Sequence, residues 1–128
     1  MGNTALLVGR AGLALMFIVS GCMKIAGYAG TQGYMETAGL PGALLPAVIA
    51  LELGGGLAIL LGLYTRGIAI ALALFCLASA ALFHHDLADP NQFNHLLKNI
   101  AIAGGFIVLA AAGAGRFSVD AMKARRAG

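Results

Sequence analysis

The sequence predicts an all-α fold, an antiparallel bundle of four transmembrane helices with both termini in the cytoplasm. Of the 128 residues, 60% are hydrophobic and only 10% are charged, whereas soluble domains carry about 25% charged residues. The apolar residues cluster in four segments, each long enough to cross about 30 Å of hydrocarbon. Basic residues concentrate on one side of the predicted bundle. The length suits a single domain over residues 1–128.

Four segments have the length and hydrophobicity of membrane spans, namely residues 5–26, 43–63, 67–83 and 96–113. The turn between the second and third spans is so short that these two helices must be antiparallel neighbours. The two longer connections, 27–42 and 86–95, lie on the opposite side of the membrane. The first is rich in glycine, and we interpret Pro90 in the second as a helix breaker.

The distribution of charge predicts the orientation. On the side of both termini, Asp120 is the single acid beside the basic residues Arg10, Arg66, Arg116, Lys123, Arg125 and Arg126. Cytoplasmic segments of membrane proteins carry such an excess of Lys and Arg. We therefore expect a multi-pass membrane protein with both termini in the cytoplasm. The predicted partner is the lipid bilayer, and no basic patch suits a nucleic acid.

One carboxylate interrupts the second span. Glu52 lies within VIALELGGGLAILLGL, residues 48–63, which is otherwise apolar. An ionisable residue inside a span costs about 2.5–3.5 kcal/mol and should face the bundle interior or a cavity. Gly55 and Gly56 share its helix face, and small residues there let a neighbouring helix approach closely. We predict close packing at these two glycines and at Gly21 of the first span.

Two basic residues of the first span are candidate partners for Glu52. Arg10 and Lys24 recur on one stripe of that helix. Helical side chains lean toward their own N terminus, which brings Lys24 toward the middle of the membrane and Glu52 toward Lys24. Arg10 starts nearer to Glu52, but the same lean lengthens its distance to Glu52, and its side chain can extend to the cytoplasmic interface. We favour Lys24 and keep Arg10 as the alternative.

Other polar residues gather at the end of the bundle that holds Lys24. If the helices pack around a common axis, these groups line a funnel toward Glu52, the usual form of a small-molecule site. The alternative is polar packing between helices, with the outer groups wetted by lipid headgroups. The candidates for a ligand site or proton pathway are Glu52, Lys24, Ser20, His84, Asn99 and Arg10, with His85, His95 and Lys98 as secondary candidates.

The histidines and cysteines point to no known cofactor motif. Imidazole groups suit zinc, iron or copper, but the spacing of His84, His85 and His95 matches no established ligand pattern. We therefore predict no metal site. If the protein did bind a metal, these three histidines would be the candidate ligands. Cys22 and Cys76 form no CxxC motif, which argues against a thiol-relay oxidoreductase.

Several stretches, in this order and spacing, resemble the DoxX family of small bacterial four-helix membrane proteins: GRAGLALMFIVSGCMKI (9–25), ELGGGLAILLGLYTRGIA (52–69), FHHD (83–86), FNHLLKNIAIAGG (93–105) and GRFSVD. The resemblance implies an integral inner-membrane protein related to the DoxD-type subunit of thiosulfate:quinone oxidoreductases. Some relatives are reported in membrane oxidoreductase or oxidative-stress assemblies. The family positions present here are Arg10, Ser20, Gly21, Lys24, Glu52, Gly55, Gly56, Arg66, His84 and Asn99.

We therefore predict a membrane subunit of a redox system, quinone-linked or related to oxidative stress or sulfur chemistry, with a polar funnel that ends at Glu52. A quinone or another small apolar molecule would enter between the helices. The chain has no haem, flavin or iron–sulfur signature, so the electrons would come from a redox partner protein or a dithiol substrate.

The chain is thus at most a subunit of an oxidoreductase. The alternative is a non-catalytic scaffold or assembly subunit, and homo-oligomers are compatible with either function. A small-molecule or ion carrier is a third interpretation, but no inverted repeat supports it.

Overall fold

The computed structural model describes residues 2–128, which fold as a bundle of helices. The helical segments are α1 (Gly2–Ala26), α2 (Tyr28–Thr37), α3 (Gly42–Leu61), α4 (Thr65–Phe83), α5 (Pro90–Ala112) and α6 (Val119–Ala127). By length and composition, α1, α3, α4 and α5 can each cross a membrane. The predicted fold class, an all-α protein with four transmembrane helices, is confirmed.

The four long helices run alternately up and down, so the bundle has two distinct ends. We call the end that holds both termini the termini end, and the opposite end the loop end. At the termini end the backbone N–H of Arg116 donates to Asn3 Oδ1 at 2.9 Å, which joins the two ends of the chain. The most extensive helix contacts are those of α4 with α5 and of α1 with α3.

Phe17 of α1 lies at the centre of the core. Its ring packs edge to face against Phe75, with centroids 6.3 Å apart, and against Phe106, with centroids 5.5 Å apart. Outside the core, large aliphatic side chains such as Leu74 and Val108 are exposed, as a lipid-facing surface requires. The buried aliphatic residues around the phenylalanines are Ala14, Ile59, Ala69, Leu72, Ala73, Ala103 and Leu109.

Three glycines lie where neighbouring helices come close together. A Cβ atom at Gly56 would lie 2.9 Å from Ile18 Cγ1, and one at Gly21 would lie 2.6 Å from Leu53 Cγ. These glycines therefore let the backbones of α1 and α3 approach each other, as small residues do in membrane bundles. Gly55 makes a similar close approach to α4.

Helix α5 begins earlier than the predicted start at residue 96. It starts at Pro90, in the first helical position, where the missing N–H of proline leaves no hydrogen bond unmade. Asp89 Oδ1 accepts a hydrogen bond of 2.9 Å from the backbone N–H of Asn91 and caps the first turn. The interpretation of Pro90 as a helix breaker is therefore wrong, because it initiates the helix.

The connection 27–42 contains helix α2, which the sequence does not predict. Gly27 leaves helical geometry, with φ −108° and ψ 41°, and α2 then folds across the loop end. Met35 is buried there, and the Tyr34 ring stacks on Phe83 with centroids 5.0 Å apart. Gly30 and Gly33 lower the helix propensity of this segment, so only its tertiary contacts explain its conformation.

Candidate functional site

Glu52 lies in an irregular turn in the middle of α3. Between Ala50 and Gly54 the helix widens into a π-helical turn, with regular α-helix on both sides. Such turns are rare and frequently occur at functional sites. The glutamate is buried, with 3% of its surface exposed. Helix α3 thus departs from regular geometry where it carries its buried carboxylate.

Lys24 of α1 binds this carboxylate from the neighbouring helix. Its Nζ lies 2.9 Å from Glu52 Oε1, 3.0 Å from Glu52 Oε2 and 2.8 Å from Ser20 Oγ. An ammonium group has three hydrogens, so these three oxygens satisfy it. The Lys24 side chain remains 25% exposed and that of Glu52 only 4%. The Glu52 side of the ion pair is therefore buried in the protein, and the Lys24 side remains partly accessible.

Two adjoining cavities border this ion pair. The smaller has a volume of about 170 Å³ and is lined in part by Ser20, His95 and Asn99. The larger, of about 330 Å³, lies beside α2 and is lined in part by Tyr34 and Met35. The predicted polar residues thus surround open space next to Glu52. The residues that line both cavities are Lys24, Glu52, Phe75, Ser79 and His84.

Two histidines stack where α4 ends and α5 begins. The rings of His84 and His95 have centroids 4.9 Å apart and an interplanar angle of 25°. Burial and the neighbouring His95 lower the pKa of His84, while a backbone hydrogen bond at Phe83 acts in the opposite direction. At neutral pH His84 is therefore an uncharged imidazole, which has one donor and one acceptor nitrogen.

The other predicted candidates lie outside these cavities. His85 and Lys98 are exposed at the loop end and line neither of the two cavities. Over residues 2–128, no three His, Cys, Asp or Glu side chains are grouped as they would be to hold a metal ion.

Arg10 is separated from Lys24 by about 21 Å of helix axis and contacts other groups. Arg10 as a whole is 1% exposed. Two of its acceptors belong to the last turn of α3, whose carbonyls carry the negative end of the helix dipole. Arg10 thus joins α3 to the segment before α6, and it does not pair with Glu52. It donates hydrogen bonds of 2.6–3.0 Å to the carbonyl oxygens of Ile59, Leu60, Ala114 and Phe117.

Two residues of α4 line both cavities but were absent from the predicted set. Phe75 and Ser79 lie one turn apart on the helix face that also carries Cys76. The available signal was the hydroxyl of Ser79, a polar group five residues before His84 in a largely apolar span. The sequence did not mark Phe75 as a site residue, because aromatic side chains in a span are most often part of the hydrophobic core.

A second network at the termini end was also not predicted. The carboxylate of Asp120 in α6 accepts hydrogen bonds from the backbone N–H groups of Tyr64, at 2.8 Å, and Thr65, at 2.9 Å. It thereby caps the first turn of α4 from a distant part of the chain. Arg66 donates to the last carbonyls of α5. These contacts fasten the helix ends to one another on the side opposite the ion pair.

With this geometry established, comparison with known proteins identifies the family. The DoxX family model matches residues 5–85. The chain belongs to the DoxX family. The DoxX match includes Ser20, Lys24, Glu52 and His84 and ends before His95. The resemblance inferred from the sequence motifs is therefore confirmed.

This DoxX chain has two similar relatives in Escherichia coli (strain K12). It is 48% identical over 118 residues to inner membrane protein YqjF, covering 92% of this chain and 91% of that protein. It is 37% identical over 123 residues to inner membrane protein YphA, covering 90% and 87%. No solved structure matches it significantly. Together with its four apolar helices, these relatives identify an integral inner-membrane protein.

Proposed function

We propose that this protein is the membrane subunit of a quinone-linked redox system and binds the quinone ring beside the Lys24–Glu52 pair. The observation that supports this most is the pair of cavities at a buried carboxylate held in a π-helical turn. Ligand sites typically have about 300–1,000 Å³ and a few polar groups in an apolar wall. The larger cavity, about 330 Å³, has the size for a single ring.

The polar groups around the cavities match the chemistry of a quinone. Ser20 accepts a hydrogen bond from Lys24, so its own hydroxyl hydrogen remains a donor for a quinone oxygen. His84 offers a second donor and can pass a proton, since its imidazole is neutral. Glu52 holds Lys24 in place and balances its charge.

Reduction of a quinone to a hydroquinone consumes two electrons and two protons. We propose that a dithiol on a substrate or partner protein supplies both, because its oxidation to a disulfide releases two electrons and two protons. The membrane subunit would then bind and orient the quinone, while the dithiol is the reductant.

The ion pair also supports a second function, a non-catalytic scaffold. Both carboxylate oxygens of Glu52 and all three hydrogens of Lys24 already have partners within the protein. A buried pair so completely satisfied can serve to fix helix register and orientation. In that case the cavities would hold lipid or water, and a partner protein would bind elsewhere on the bundle.

Quinone titration distinguishes the two functions. The probe is 2,3-dimethoxy-5-methyl-1,4-benzoquinone, and its binding to the purified protein is followed by equilibrium dialysis. The informative variant is the double substitution Ser20→Ala and His84→Phe, which removes both proposed donors to the quinone oxygens and keeps the ion pair. The matched control is His85→Gln, which alters an exposed residue outside both cavities.

We expect saturable binding to the native protein and to the control, and at least about a tenfold loss of affinity in the double variant, as for lost hydrogen bonds in a buried site. Equal binding by the double variant, or no binding by the native protein, would refute the proposal. Loss of a co-purifying partner on replacing the ion pair by Lys24→Met with Glu52→Gln, without any quinone binding, would favour the scaffold.

A further inference from the structure

A groove on the lipid-facing surface runs along α1 to the ion pair. It lies between α1 and α2 and has a volume of about 870 Å³. On α1 it extends from Gly12 to Lys24, about 18 Å at 1.5 Å per residue. Its wall is mostly apolar, and Leu15, Val19 and Met23 are exposed along it. The groove is therefore long, apolar and open to the hydrocarbon of the bilayer.

One end of this groove is polar and reaches the candidate site. Ser20, Lys24, Thr31 and Tyr34 line that end. Lys24 also lines both inner cavities, whereas Ser20 lines the smaller and Tyr34 the larger. The exposed quarter of the Lys24 side chain thus lies where the groove and the cavities meet. An amphipathic molecule can extend from one into the other.

We infer that the groove holds the prenyl chain of a membrane quinone whose ring occupies the inner cavities. This inference rests on the proposed function and narrows the ligand to a long-chain quinone that enters sideways from the bilayer. The length of the groove exceeds what a single ring needs, and its wall suits a hydrocarbon chain.

The charge at the polar end favours an uncharged head. Glu52 already neutralises Lys24 through both carboxylate oxygens, so an anionic phosphate would meet no uncompensated positive charge there. A quinone oxygen is a neutral acceptor and can use the hydroxyl hydrogen of Ser20. The groove and its polar end therefore fit a quinone better than a phospholipid.

Two glycines of α2 allow the groove to be filled without disturbing the fold. Gly30 lines the groove, and a Cβ atom there would have no protein atom within 4 Å. Gly33 is equally open and exposed but does not line the groove. Leucine has a higher helix propensity than glycine, so Gly30→Leu and Gly33→Leu should both fold. The two variants form a matched pair.

The experiment compares two probes on the native protein and these variants in one detergent. One probe is 2,3-dimethoxy-5-methyl-1,4-benzoquinone, the ring alone. The other is the same ring with a decyl chain attached. We expect the decyl probe to bind the native protein and Gly33→Leu about tenfold more tightly than the ring alone, a typical gain for apolar contacts in a fitted site. In Gly30→Leu we expect that gain to disappear, with the affinity for the ring alone unchanged.

Three results would overturn the inference, and they are distinguishable. A gain from the decyl chain that persists in Gly30→Leu would exclude the groove as its site and leave the proposed function intact. A dimer of the native protein that Gly30→Leu abolishes, with the gain unchanged, would assign the groove to a second copy of the chain. Failure of the ring alone to bind any form would overturn the proposed function together with the inference.

Discussion

At the scale of residues, the burial of Glu52 depends on a compact set of contacts around one nitrogen. Lys24 Nζ binds both carboxylate oxygens and the hydroxyl of Ser20 within 3.0 Å. Helix periodicity and side-chain direction favoured Lys24 over Arg10 from the sequence alone. The position of Arg10 was not predictable in this way, because its acceptors are backbone carbonyls, which every residue carries.

Separate removal of each charge should have unequal effects on stability. Lys24→Met leaves a buried carboxylate without a cation, and we expect it to lower the free energy of unfolding by about 3 kcal/mol. Glu52→Gln leaves an ammonium that is one-quarter exposed, so we expect a smaller loss, about 1–2 kcal/mol. The double variant Lys24→Met with Glu52→Gln should be more stable than Lys24→Met alone.

A double-mutant cycle of unfolding in mixed micelles measures this coupling. A double variant whose loss equals the sum of the two single losses would show that the pair contributes no coupling energy. The position of Glu52 would then depend on other contacts.

Asp120 should make stability depend on pH. Burial raises the pKa of this carboxyl, but the hydrogen bonds from Thr65 and Tyr64, together with Lys123, lower it by more, so the net pKa lies below its ordinary value. A carboxylate with a depressed folded pKa stabilises the protein above its unfolded pKa and loses this effect as the pH falls through the folded pKa. Asp120→Ala should cost about 1 kcal/mol at pH 7, the value of a typical helix cap.

Chemical denaturation of the native protein and Asp120→Ala over a pH series tests this expectation. The difference in unfolding free energy should shrink as the pH falls below the ordinary carboxyl range. Asp120→Asn keeps an acceptor that does not titrate and is the matched control. A difference that is constant from neutral to acidic pH would contradict the proposed cap.

At the scale of elements, hydropathy located the four spans, and helical periodicity indicated the inward faces of the first two. The start of α5 differed from the prediction because Asp89 and Pro90 form a capped helix start that resembles a loop in composition. Helix α2 could not be predicted, since its stability comes from tertiary contacts such as Tyr34 on Phe83. The π-helical turn around Glu52 could not be predicted either, because no sequence pattern marks this change in the backbone hydrogen bonding.

The contact between α1 and α3 should be sensitive to one glycine and indifferent to its near neighbour. A Cβ atom at Gly56 would lie 3.2 Å from the backbone nitrogen of Ile18 and 3.3 Å from the carbonyl oxygen of Ala14. Backbone atoms cannot rotate away, so Gly56→Ala should separate the helices and cost about 1–3 kcal/mol through overpacking.

Gly54→Ala is the matched control, because a Cβ atom there would have no protein atom within 4 Å. Alanine has the higher helix propensity, so this substitution should be neutral or stabilise the protein by up to about 1 kcal/mol. Thermal denaturation of both variants in detergent gives the comparison. Equal stability of Gly56→Ala and the native protein would contradict close packing at this contact.

At the scale of the whole molecule, the two ends of the bundle have different organisation. The termini end is fastened by Arg10, Arg66 and Asp120, all bonded to backbone groups. The loop end carries the ion pair, the stacked histidines and the cavities. The proposed ligand site thus lies at the loop end, away from the backbone contacts of the termini end.

The charge distribution predicts that the termini end faces the cytoplasm. The basic residues of α6 and its neighbouring segments lie there, in agreement with the positive-inside rule. Green fluorescent protein fused after Gly128 should fluoresce, and alkaline phosphatase fused there should be inactive. Fusions after Ala88, in the loop between α4 and α5, should behave in the opposite way. Active phosphatase in the fusion after Gly128 would contradict this orientation and place the termini end on the opposite side of the membrane.

Photo-crosslinking tests most directly whether the cavities at Lys24 and Glu52 hold a quinone ring. The native protein is irradiated with an azidoquinone, and the labelled residues are identified by mass spectrometry after digestion. We expect labelling of cavity-lining residues, above all Phe75 and Ser79 of α4, and competition by unlabelled quinone. Absence of competed labelling there, or labelling confined to other faces of the bundle, would contradict the proposed site.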